Sequence, residues 1–211
     1  MPEEYLTVVR DADAEIEVKR SRFLARVRRV DDEDSARAVI EQCRKEYWDA
    51  RHHCSAFVLG SSSELSRSND DGEPSGTAGA PILAAITGRG LSDVVVVVTR
   101  YFGGTLLGAG GLVRAYTDAA AAGLHDAGVL RRTHALLVEV RVALADVGKL
   151  ENALRATGLD VRDVDYSIGT TALIRGALTP ADEDAVRAQL ASLTGGAAEL
   201  RVVGETWRDH L

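Results

Sequence analysis

Val94-Val95-Val96-Val97-Val98-Thr99-Arg100-Tyr101-Phe102-Gly103-Gly104-Thr105-Leu106-Leu107-Gly108-Ala109-Gly110-Gly111-Leu112-Val113-Arg114-Ala115-Tyr116 is the stretch on which the fold turns. Five consecutive valines form a continuous apolar run, the pattern of a strand buried on both faces. The run stops at Thr99-Arg100. A loop follows in which five glycines fall within nine residues, and an alanine-rich helix then begins near Gly111 and extends to about Gly128. Glycine loses more backbone entropy on folding than any other residue, so this density demands positive φ angles or the close approach of another group. Two readings compete. The glycines let the helix pack closely on the strand, or the free N–H groups and partial positive charge of the helix N-terminus hold an anion, with Arg100 and Arg114 bracketing the loop. The spacing lacks the Gly-Lys-Ser/Thr ending of a Walker A loop and the ribose-binding acid of the dinucleotide pattern, so the loop alone supports neither an ATP nor an NAD site.

Residues 14–30 read as a hairpin or a bent long strand. Alternation places Ser21, Phe23, Ala25 and Val27 on one face and Arg20, Arg22, Leu24, Arg26 and Arg28 on the other. The arginine face is either a solvated row paired with nearby acids or a phosphate-tracking surface. Asp31 to Asp34 supply negative charge at a helix start, after which Ala36, Val39, Ile40, Cys43 and Tyr47 recur at helical spacing and face the core. Cys43 is therefore expected to be a small buried hydrophobe and not a nucleophile. Residues 53–59 read as a strand, with 65–68 its short partner after the Gly60 to Ser63 turn. Pro81 suits the first position of a helix ending at Gly88.

Between them lies an acidic loop, Asp70-Asp71-Gly72-Glu73-Pro74-Ser75-Gly76-Thr77-Ala78-Gly79-Ala80. It could hold a hard metal through Asp70, Asp71 and Glu73, though its spacing is not that of an EF-hand. It could organise a polar pocket through Ser75, Thr77 and Gly79, or be a solvated turn, which is the usual fate of such a sequence. His52, His53 and Cys54 are adjacent. They invite a zinc or thiol-catalysis reading, but neighbours on a strand face opposite ways, so His53 and Cys54 do not easily enter one site while His52 and Cys54 could share a face; a buried cysteine with a hydrogen-bonded histidine is the commoner outcome. No Ser-His-Asp set assembles, the nucleophile elbow is absent, and no metal ligand set is assigned.

After Leu130 the pattern changes. Strands at 133–144, 159–166, 170–178 and 198–207 alternate with helices at 146–157 and 180–193 in the order βαββαβ, the ferredoxin-like arrangement. The expected fold is therefore α+β in two domains, 1–130 and 131–211. A chain of 211 residues accommodates both. With a formal net charge of −7, no bulk attraction to nucleic acid is expected, and a basic surface must be local. The N-terminus carries no signal-peptide core, the valine run is far too short to span a membrane, and two cysteines do not make a disulfide scaffold. A cytoplasmic protein is expected.

Four motifs occur in order: Lys19-Arg20-Ser21-Arg22-Phe23; Ala50-Arg51-His52-His53-Cys54-Ser55-Ala56-Phe57; Asp70 to Gly79; and Arg100-Tyr101-Phe102-Gly103-Gly104 through Leu107-Gly108 to Gly110-Gly111-Leu112-Val113-Arg114-Ala115-Tyr116. Together they resemble the IMPACT/YigZ family over about residues 15–125. The C-terminal half is similar to the extra domain of the bacterial YigZ branch. The resemblance implies an N-terminal domain like domain two of ribosomal protein S-five, the fold of elongation factor G domain IV, followed by a module like its domain V. Eukaryotic members regulate translation through protein partners.

The resemblance favours a pocket shared by the acidic and glycine loops, with candidate residues Asp70, Asp71, Gly72, Glu73, Ser75, Thr77, Gly79, Arg100, Tyr101, Gly103, Gly104, Gly110, Gly111 and His52. The alternative is an acid–arginine pair that merely joins the two loops. The leading functional expectation is a non-enzymatic binding protein of translation, docking on the ribosome, structured RNA or a translation factor through Arg20, Arg22, Arg26 and Arg28. No cofactor and no DNA specificity are expected. An enzyme acting on a small phosphorylated or nucleotide-like substrate in the shared pocket is the rival, and a protein-only adaptor using the C-terminal sheet is a third reading.

Overall fold

The computed structural model describes residues 2–167 and 169–210. The chain divides into two compact units, the first running to Arg132 and the second covering Thr133–Asp209.

The first unit is built on a five-stranded sheet. In chain order its strands are β2 (Ala12–Val18), β3 (Ser21–Arg29), β4 (His52–Leu59), β5 (Leu65–Asn69) and β6 (Val94–Tyr101), arranged β2-β3-β6-β4-β5. The valine strand β6 is central and antiparallel to both neighbours, β3 and β4. It is buried on both faces because helices cover both. Val94, Val96 and Val98 pack with α2 (Gly79–Thr87) and α3 (Ala109–Ala127), while Val95 and Val97 pack with α1 (Glu33–Glu46). The alternation read from β3 holds, with Ser21, Phe23, Ala25 and Val27 all buried on the α3 side. Gly123 of α3 lets helix and sheet approach closely: a β-carbon there would lie 2.9 Å from Val27 Cγ2.

Helix α1 starts where the acids predict, with Asp32 accepting the Ser35 N–H as N-cap. Helix α2 begins at Gly79, two residues before Pro81. The reason is local: the Asp70 carboxylate caps the helix from outside its own segment, so proline is not needed to open it. One strand escaped the sequence reading. β1 (Glu4–Val8) pairs with β7 (Val129–Ala143), whose first residues belong to this unit.

The second unit has the predicted βαββαβ order: β7, α4 (Val147–Ala156), β8 (Asp160–Asp165), β9 (Thr171–Leu178), α5 (Glu183–Thr194) and β10 (Leu200–His210), with single 3-10 turns before each helix. Its strands lie in the order β10-β7-β9-β8. Val138, Val140, Val142, Ile174, Leu150, Leu154, Val186 and Leu190 form one core between sheet and helices. On the other strand face, Arg175 binds Glu139 at 3.1 Å and Asp163 at 2.9 Å, so charges there neutralise one another. Among the described residues no helix is long and apolar enough to cross a membrane.

Candidate functional site

The acidic loop and the segment after the valines do meet. Their junction is Glu73, whose Oε1 accepts hydrogen bonds from Arg100 Nη1 at 2.7 Å and from Tyr116 OH at 2.7 Å. The elements dictate this. Arg100 is the last but one residue of β6, Tyr116 lies in the third turn of α3, and the Asp70–Glu73 turn, closed by Glu73 N–H to Asp70 O, lowers the carboxylate between them. The pair is buried, with the Glu73 side chain 4% and the Arg100 side chain 7% exposed. The Arg100 guanidinium lies between the rings of Phe23 and Phe102, 5.5 and 5.6 Å from their centroids. Its Nε is buried without a hydrogen-bond partner among the described residues. Cys54 completes the chain, its single thiol hydrogen within reach of two acceptors, Asp70 O at 3.0 Å and Tyr116 OH at 3.3 Å. Burial pushes the Cys54 thiol up to about 12 and raises the Tyr116 hydroxyl well above the ordinary tyrosine range. Neither group is a ready nucleophile or base.

The other two carboxylates are committed elsewhere. Asp70 Oδ1 accepts from Ala78 N and Gly79 N at 3.0 and 2.8 Å, and Oδ2 from Gly76 N at 2.8 Å. It is the anion that satisfies the free N–H groups at the start of α2. Partial burial opposes its ionisation, yet these backbone bonds hold its carboxyl below the usual aspartate range. Asp71 accepts from the His53 backbone N–H at 2.7 Å and from Arg44 at 2.9 Å, tying the start of β4 to α1. The three acids thus point to three different partners and do not converge on a cation. Among the described residues no group of three or more His, Cys, Asp or Glu is placed to hold a metal.

The remaining candidates separate in the same way. His52 turns to the acidic loop, its Nδ1 2.9 Å from Asp71 O, and a β-carbon on Gly72 would lie 3.5 Å from that nitrogen. His53 faces the other way, with Nε2 3.1 Å from Tyr47 O. Thr77 Oγ1 bonds Pro74 O within its own turn, and Ser75 is exposed. Gly79 is required by packing, since a β-carbon would fall 2.7 Å from Asn69 N. Tyr101 follows Arg100 on the strand, so it faces away from the junction and donates to Asp49 at 2.8 Å. Gly103 meets the hairpin turn, where a β-carbon would lie 2.0 Å from the Arg20 carbonyl carbon, and its N–H donates to Ser21 Oγ at 3.1 Å. Gly104 and Gly108 adopt φ of 84° and 73°. Gly111 packs on Leu107, while Gly110 faces open space. The loop bears out close packing at Gly103, and it leaves an exposed helix start without a side-chain cap at Gly108 to Gly110.

The arginine row is neutralised along most of its length. Arg26 is buried and bridges Glu46 at 2.7 Å and Asp13 at 3.3 Å; Arg28 binds Asp13 at 2.8 Å; Arg22 binds Glu15 at 2.6 Å in an exposed pair. Arg20, at the turn, donates to Thr105 Oγ1 at 3.2 Å. The reading of a row paired with nearby acids holds for Arg22, Arg26 and Arg28, whose partners sit on β2 and α1, 7 to 20 residues away in the chain.

Residues 19–124 match the Impact N-terminal domain. The chain belongs to the IMPACT family. It is 42% identical over 163 residues to IMPACT family member YvyE of Bacillus subtilis, covering 77% of this chain and 75% of that protein. It is 35% identical over 191 residues to IMPACT family member YigZ of Escherichia coli, covering 90% and 93%. A solved structure described as a hypothetical protein aligns with a TM-score of 0.67 at 34% identity, covering 96% of this chain and 98% of that one. The family segment holds every residue of the Glu73–Arg100–Tyr116–Cys54 junction.

Proposed function

We propose that this IMPACT family protein is a binding protein of the translation apparatus that docks on structured RNA of the ribosome. The contact surface is the rim made by the β2–β3 turn, the glycine loop and the start of α3. The observation that carries the reading is the N-terminus of α3. It has no side-chain cap and no acid in its first turn, and Gly108, Ala109 and Gly110 are exposed. Its N–H groups are suited to a phosphate, as are the exposed cations Lys19 and Arg20 beside the loop and Arg114 one turn into the helix. Leu106 is 83% and Phe102 49% exposed, apolar surface that a splayed base can cover.

The rival enzymatic reading requires a carboxylate and a guanidinium free to meet a substrate. Glu73 and Arg100 instead bond each other in a buried pair, which favours a binding role. The docking surface also shifts relative to the sequence expectation, because Arg26 and Arg28 are engaged in holding β2, β3 and α1 together.

Co-sedimentation with ribosomes at low salt tests the proposal. The protein is expected to pellet with them, and the Arg20→Glu, Arg114→Glu double variant to remain in the supernatant with an unchanged melting temperature. Equal pelleting of the two would remove this rim from the account. Charge reversal at Arg26 is an unsuitable test, since Arg26 is itself buried and holds Glu46 and Asp13, so its loss would destabilise the hairpin.

A further inference from the structure

On the face of the sheet opposite the Glu73–Arg100 junction, a cleft of about 360 Å³ lies between α1 and the strands β4 and β5. We infer that this cleft receives an extended acidic segment of a partner protein, which adds as a strand to β5 and seats its carboxylates between Arg37 and Arg67.

Three observations carry this. First, β5 is an outermost strand of the sheet and among the described residues pairs only with β4. Its outward backbone groups are a template for another strand, and the space beside a helix and an edge strand is a recurrent seat for extended peptides. Second, the cleft has a floor. Phe57 and Ser55 pair in register with Arg67 and Asn69, so the four side chains share one face, and Phe57 and Ser55 are 4% exposed. Arg37, Ile40, Glu41 and Arg44 repeat at helical spacing and form the facing wall. Side chains of an added strand alternate, so every second one enters this space.

Third, the charges are unequal. Three arginines and one glutamate line the cleft of a chain whose net charge is −7. Arg44 is held by Glu41 and Asp71. Arg37 has one acidic partner among the described residues, the half-buried Glu33 at i−4, and is itself 64% exposed. Arg67 is exposed, with its guanidinium on the neighbouring Ser66 carbonyl at 3.0 Å. Among the described residues no carboxylate forms an ion pair with it. A glutamate or aspartate entering the cleft would supply Arg67 with a charge-assisted bond and compete with the weak Arg37–Glu33 pair. A basic segment finds only Glu41.

The test uses the full chain and an array of decapeptides in which glutamate alternates with valine in both registers, beside the same peptides with lysine for glutamate. Binding is read by fluorescence anisotropy and by backbone hydrogen exchange. The glutamate peptides are expected to bind and the lysine peptides not. Arg67→Glu is expected to weaken binding about tenfold or more, the loss of one charge-assisted contact. Exchange at residues 65–68 should slow on peptide addition, because a new strand protects outward N–H groups. Arg67 is exposed, and an unchanged melting temperature confirms that the variant folds. Absence of binding overturns the inference. So does binding that Arg67→Glu leaves intact, or binding that leaves exchange at 65–68 unaltered, since either places the peptide elsewhere.

Discussion

Replacing Glu73 by glutamine is the sharpest probe of the loop junction. The substitution keeps the shape of the side chain and an oxygen for Arg100 Nη1 and Tyr116 OH, so it removes charge and little else. What remains is a guanidinium 7% exposed, held between two aromatic rings, with its Nε already unpartnered. Breaking a buried ion pair from one side costs about 3–5 kcal/mol, because the surviving charge stays desolvated. The retained hydrogen bonds place glutamine near the lower end, at about 3 kcal/mol. That is a large share of the roughly 5–15 kcal/mol by which a domain is stable. The two units need not unfold together, so the measurement should report on the first unit alone. Hydrogen exchange of the valine amides in β6 does this. Their opening free energy should fall by about 3 kcal/mol, and amides of β9 should not change. A second variant separates charge from packing. Glu73→Leu with Arg100→Met and Tyr116→Phe removes the carboxylate, the guanidinium and the hydroxyl together, leaves the Cys54 thiol its Asp70 carbonyl acceptor, and should lie within about 1–2 kcal/mol of the parent. A Glu73→Gln loss below about 1 kcal/mol would falsify the claim that this pair locks the two loops. It would leave the carboxylate and guanidinium as groups held for a ligand.

Three further outcomes follow from the same geometry. Both cysteines are buried and both thiols are raised, Cys54 to about 12, so neither should react with an aromatic disulfide reagent at pH 8 in the folded protein, and both should react in denaturant. Alanine at the loop glycines should give graded results in thermal melts. Gly103→Ala costs several kcal/mol, since its methyl meets the hairpin backbone; Gly104→Ala costs about 1–2 kcal/mol for its positive φ; Gly110→Ala is neutral or stabilising by up to about 1 kcal/mol. The Asp70 carboxyl is held below its ordinary range, so its contribution is present above that range and is lost as pH falls through the folded value. Asp70→Asn should therefore lower stability at neutral pH, by about 1 kcal/mol for a lost cap, and flatten the acid limb of the stability profile below about pH 4.

Elements whose pattern is self-contained were legible in the sequence. The valine run, the Ser21 to Val27 alternation, the Ala36 to Tyr47 periodicity and the βαββαβ order each carry their period within a few residues. The partners of charged groups were not legible, because they are set by which strands become neighbours. Asp70 and Asp71 look alike in the chain, yet one caps α2 and the other joins β4 to α1. Tyr116 was visible only as part of a motif, and nothing local marked it as the second donor to Glu73. The cluster at Asp93 was missed altogether. Asp93 accepts from Tyr5 OH and from Gly60 N at 2.8 Å, and Arg132 donates to Tyr5 OH at 2.6 Å, tying β1, the β4–β5 turn and the start of β7 to β6. Its four members span residues 5 to 132, and the only local hint was an aspartate just before a strand, in a turn that gives it a positive φ.

In the proposed complex a few cations and one open helix end bind RNA phosphates. The salt dependence of binding to a structured RNA hairpin tests it most directly. With Lys19, Arg20 and Arg114 engaged, a plot of log affinity against log salt should have a slope of about −2 to −3, and Arg114→Ala should reduce its magnitude by about one. A hairpin that does not bind even at low salt, or a slope that Arg114→Ala leaves unchanged, would contradict the account.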